Sequence, residues 1–156
     1  MIEFHIKILK ESLKILKDIK KELETIYSLP INEESYLDIK ERNIRTLDAL
    51  AYRFSKVQSI LGEKVFREIL EVLGYDLSDK SYIDVLQFAE KEKIIPSIIK
   101  WKELREIKNT LSHDYPDEIE FVVNALNKII ENIDTLEKIV KTIEEKYEYA
   151  NKIARR

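Results

Sequence analysis

The chain has 156 residues, a formal net charge of −3, two glycines, three prolines and no cysteine. That length fits one domain, residues 1–156, able to bury roughly 70% of its unfolded surface. The missing thiols exclude disulfides and cysteine nucleophiles, and the slightly acidic balance leaves nucleic acid only a local basic patch to meet.

With 37% charged and 44% hydrophobic residues, the composition is that of a soluble helical protein. Heavy use of Ile, Lys and Glu matches a thermophile, and equally an AT-rich genome. No apolar run approaches the roughly 20 residues that a membrane span needs. Met1-Ile2-Glu3-Phe4 opens a helical pattern rather than a signal peptide, so no membrane contact is expected and the compartment expected is cytoplasmic.

In chain order, Ile2, Ile6, Leu9, Leu13, Leu16, Leu23 and Tyr27 step by threes and fours, which predicts one long amphipathic helix. Ile8, Ile15, Ile19 and Ile26 widen its stripe, as if it served two neighbours. Leu29-Pro30-Ile31-Asn32 ends it. A second long pattern runs from about Ser35 through Ile39, Leu47, Leu50, Phe54, Val57 and Leu61 to Leu73. Gly62 costs about 1 kcal/mol inside a helix, so a kink or short break is expected there, and Gly74 suits a C-terminal cap. Asp76-Leu77-Ser78-Asp79 predicts the start of a short helix through Ile83, Leu86 and Ala89. Ser97 reads as the N-cap of a helix carrying Trp101, Leu104, Ile107 and Leu111. Pro116-Asp117-Glu118 suits the first turn of a last helix through Val122, Leu126, Ile129, Ile133, Leu136, Ile139 and Ile143. No stretch alternates with period two. The expected fold is all-α, an up-down bundle of four long helices plus one short helix.

One stretch reads as chemistry rather than scaffold: Lys108-Asn109-Thr110-Leu111-Ser112-His113-Asp114-Tyr115. At 100° per residue, Leu104, Ile107 and Leu111 share one side of their helix. Trp101, Arg105, Lys108, Asn109, Ser112 and His113 fall on the other, a side without a carboxylate although acids abound elsewhere. Arg105, Asn109 and His113, spaced i, i+4, i+8, project as one column. Such a set suits phosphodiester cleavage without a metal. An imidazole titrating near neutrality can take a proton from a ribose 2′-OH or return one to the 5′-oxygen. A fixed cation stabilises charge growing on the phosphate, and an amide orients it. The bland alternative is a histidine that merely complements the helix dipole. Trp101 reads as a packing anchor ahead of a base-stacking platform.

The segment resembles the signature of the HEPN superfamily, whose ribonuclease members carry Arg-x4-6-His and whose HepT toxin branch carries Arg-x4-His-x-Tyr. Here the pattern is Lys108-x4-His113-x-Tyr115, with Asn109 directly after the cation. The resemblance implies an RNA endonuclease toxin acting at a homodimer cleft, with His113, Lys108, Arg105 and Asn109 as its catalytic group. It also implies a cognate minimal nucleotidyltransferase antitoxin that modifies Tyr115 with adenylate. The family's Arg is Lys here, which keeps charge but loses the planar fork that grips phosphate. An alternative within the same superfamily is a silent binding subunit that serves a nucleotidyltransferase.

Lys10, Lys14, Lys17 and Lys21 form a stripe on the first helix, and Arg42, Arg45, Arg53 and Lys56 fall near one face of the second. Either could track an RNA backbone, although interspersed acids favour solvated, ion-paired faces. If one borders the cleft, Arg42, Arg53, Lys56 and Tyr52 are the RNA-binding candidates. There is no Gly-rich phosphate loop and no carboxylate–histidine metal set, so neither a metal nor a cofactor is expected.

Overall fold

The computed structural model describes residues 1–111 and 118–155. Among these residues there are helices and no strand. The helices are α1 (Ile2–Ile26), α2 (Glu33–Arg42), α3 (Ile44–Ile60), α4 (Phe66–Val72), α5 (Tyr82–Lys91), α6 (Ile98–Leu111) and α7 (Ile119–Ala154), with a π-helical turn at Leu61–Val65 joining α3 to α4.

α1 packs along α3 on one side and α7 on the other, and α6 packs against α3 and α7. The predicted stripe of α1 explains this. Ile2, Ile6, Leu9, Leu13, Leu16, Ile19 and Leu23 are all buried, whereas Ile26 stays exposed. Lys10 reaches Glu144 and Lys17 reaches Glu137, so α1 and α7 run antiparallel. Tyr147 donates a hydrogen bond to Glu3 in the same register. The shared core holds Phe54, Phe66, Trp101, Leu104, Ile129, Ile133 and Leu136. Buried positions of α7 stop at Ile143, so its last turns extend past the core.

The expected single helix from Ser35 to Leu73 is broken at Asn43, whose φ of −141° and ψ of 47° lie outside the helical region. α2 starts earlier than expected because Asn32 and Ser35 form a reciprocal capping box. Gly62 does not break the rod. Its π turn takes in one extra residue and the chain continues directly into α4. Gly74 does cap the end, at φ +97°. α5 begins at Tyr82 rather than Asp76, because Ser81 and Asp84 supply the capping box there. Asp76 instead holds the preceding turn by accepting from the Ser78 backbone N–H and hydroxyl. Ser97 caps α6 as expected, its Oγ accepting from Lys100 N at 2.9 Å. Asn127 of α7 fixes the α1–α2 connection: its side-chain amide accepts from Ile31 N and donates to Ile31 O, both at 2.8 Å.

Two partly buried polar contacts tie neighbouring segments together. His5 Nδ1 donates to Glu68 Oε1 at 2.7 Å, joining α1 to α4. Tyr75 donates to Glu92 at 2.8 Å, a bond that holds the phenol above its ordinary pKa.

Candidate functional site

α6 presents its predicted cations beside the π turn. Arg105 and Lys108 line a cleft of ≈ 310 Å³, with Arg67 from α4 and Tyr82 from α5 opposite. The π turn contributes Gly62 and Glu63 to its floor and rim, and α3 contributes Gln58 and Ser59. The α6 face itself lacks a carboxylate, as read from the sequence, but Glu63 brings one to it from another element.

The wall of this cleft is built tightly. Trp101, expected on the polar side of α6, is fully buried. Its indole meets Phe66 edge-on at a centroid distance of 4.6 Å, and its Nε1 donates to the Tyr82 hydroxyl at 2.9 Å. α6 packs against α3 and α5, and burial of Trp101 requires a partner for the indole N–H, which Tyr82 supplies. Trp101 is thus the packing anchor and not a stacking platform. Beside it, the Arg105 guanidinium lies over the Tyr82 ring, 5.8 Å from its centroid.

Gly62 makes this close approach possible. A Cβ at that position would lie 2.9 Å from the Tyr82 hydroxyl and 3.1 Å from the Trp101 ring. The glycine flagged as a helix defect is therefore the seat of the cleft's aromatic wall.

Asn109 is exposed on α6 next to Lys108 and does not line the cleft. His113 and Tyr115, together with Ser112, lie outside the described residues. Sequence reasoning missed Glu63 and Arg67, from the π turn and the α4 helix it runs into, and Tyr82 from α5, none of which shares a local pattern with the motif.

The other basic candidates divide. Tyr52, Arg53 and Lys56 do sit together on α3: the exposed Tyr52 ring has the Arg53 guanidinium at 5.3 Å and the Lys56 ammonium at 5.7 Å. Arg42 is not with them. The break at Asn43 puts it on α2, where it pairs with Asp38 at 3.0 Å. The lysine stripe of α1 is ion-paired at Lys10–Glu144, 2.9 Å, and Lys17–Glu137, 2.7 Å. Among the described residues, no cluster of His, Cys, Asp and Glu could hold a metal ion, and no helix is long and apolar enough to cross a membrane.

No protein-family model, no curated protein and no solved structure gives a significant match to this chain.

Proposed function

We propose that the protein is a metal-independent RNA endonuclease of the HepT toxin type, with the HEPN-like bundle as its scaffold and a homodimer cleft as its active site. The observation that carries this reading is the joint presence of Arg105 and Lys108 at one cleft, on the helix that leads directly into His113 and Tyr115. In this reading the ribose 2′-oxygen attacks phosphorus and the P–O5′ bond breaks, leaving a 2′,3′-cyclic phosphate. One His113 takes the 2′-OH proton as general base, and the second copy's His113 protonates the departing 5′-oxygen. Lys108 and Arg105 stabilise the phosphorane charge, and Asn109 orients the group. A cognate minimal nucleotidyltransferase silences the toxin by adenylating Tyr115.

Incubation of the purified protein with total RNA in EDTA tests this. Cleavage that leaves cyclic phosphate ends and disappears in His113→Ala supports it. A partner-free preparation that cleaves nothing rejects it in favour of the second reading, a silent binding subunit of a nucleotidyltransferase. That alternative has its own motivation in Lys108, which stands where ribonuclease members of the superfamily carry Arg.

A further inference from the structure

The cleft holds a third cation that no motif announces. Arg67 enters from α4, far from Arg105 in sequence, and the two line the same ≈ 310 Å³ space. Among the described residues, neither arginine has an ion-pair partner within 4.0 Å, and neither does Glu63 on the same rim. Although the chain has 30 acidic residues, none of the described ones lies within ion-pair distance of either guanidinium. Two guanidiniums, Lys108 and Tyr82 thus line one recess, which Glu63 also borders.

We infer that this cleft is a binding site for a phosphate ester, with Arg67 and Arg105 gripping the phosphoryl oxygens and Glu63 limiting which face of the ligand enters. Resting on the nuclease reading, its occupant is a phosphate neighbouring the one that is cut, and Arg67 is a positioning residue that sets RNA register. A planar guanidinium offers two parallel donors to such a group, which a lysine cannot.

Trp101 reports on the site directly, being the only tryptophan and bonded to the cleft-lining Tyr82. The probes are inorganic phosphate, adenosine monophosphate and a 2′-O-methylated RNA tetranucleotide that cannot be cleaved, each titrated by Trp101 fluorescence and calorimetry. Arg67→Gln should weaken tetranucleotide binding by about tenfold to a hundredfold, as loss of a charge-assisted hydrogen bond does. It should also reduce the slope of log K against log salt by about 0.7, the value of one phosphate contact on a single strand. Arg67→Lys, with unchanged helicity and melting, should retain the slope while losing affinity, and Glu63→Gln should tighten binding. Comparable affinity for adenosine monophosphate marks a free nucleotide as ligand, whereas preference for the tetranucleotide marks a strand; both support the site. Binding with no RNA cleavage upholds the site and rejects the nuclease. RNA cleavage with KM and salt slope unchanged in Arg67→Gln rejects the site and leaves the nuclease standing. No response to any of the three probes overturns the inference outright.

Discussion

The α1–α7 face and the α6 cleft carry similar positive charge and use it in opposite ways. On the first, Lys10 and Lys17 each meet a glutamate of α7 across the helix seam, and their pKa values are held above the ordinary lysine range by those partners. On the second, Arg67 and Arg105 share a recess with one carboxylate and have no ion-pair partner within 4.0 Å among the described residues, Arg105 meeting only the Tyr82 ring. A count of basic residues would rank the lysine stripe first. Geometry reverses the order for Lys10 and Lys17, each held by a glutamate, whereas neither Arg67 nor Arg105 has a carboxylate partner within 4.0 Å among the described residues.

The sharpest way to break this comparison is at Lys108. Lys108→Ala should lower RNA cleavage about 10²–10³-fold, the usual loss when one transition-state donor is removed. Lys108→Arg should maintain or raise it. If Lys108→Ala proves mild and Arg105→Ala severe, the arginine one turn earlier holds the role instead. Toxicity on expression that survives both alanine changes and His113→Ala would end the nuclease reading.

A smaller effect is expected at the cleft's wall. Gly62→Ala gains about 1 kcal/mol in helix propensity but drives a methyl into Tyr82 and the buried Trp101 ring, and overpacking of that kind costs about 1–3 kcal/mol. A net fall in melting temperature with a shift in Trp101 emission is the expected result. A rise in stability would show that the wall yields, and the cleft with it.

The smallest effects belong to the lysine face. Lys17→Gln should leave RNA cleavage and RNA affinity unchanged, and an equal loss there would erase the contrast with α6. Its stability effect has a defined pH sense. The folded pKa of Lys17 is raised, first by its hydrogen bond to Glu137, so the pair's stabilisation is fully present below the ordinary lysine value. It fades as pH rises through the folded value. Melting curves of Lys17→Gln and the parent should therefore differ near neutrality and converge in strong alkali.

Much of the fold was legible because helical periodicity records burial. The stripes predicted for α1, α6 and α7 are those that enter the core, and Ser97 and Gly74 mark ends as capping chemistry requires. The break at Asn43 was not legible. Ile39 and Leu47 are both buried and eight residues apart, so the apolar phase continues across it, and Asn43 makes no side-chain cap bond to advertise the restart. Ile83 misled in the same manner, since α5 buries Val85 instead. For the site, the pairing of Arg105 with Lys108 followed from helix spacing alone. Arg67, Glu63 and Tyr82 join them only through tertiary packing, which no local pattern encodes.

The Asn127 amide meets Ile31 as one β-strand meets another, with a donor and an acceptor matched to a single residue's N–H and C=O. α7 thereby reads the main chain of the α1–α2 connection, while the Ile31 side chain is buried in the core. In hydrogen–deuterium exchange, the Ile31 amide should behave like a rung of secondary structure, beside the Asn32 amide that the capping box holds. Asn127→Ala should release the Ile31 amide and fray the start of α2, while Asn127→Asp, which retains the acceptor and loses the donor, should keep the Ile31 amide slow.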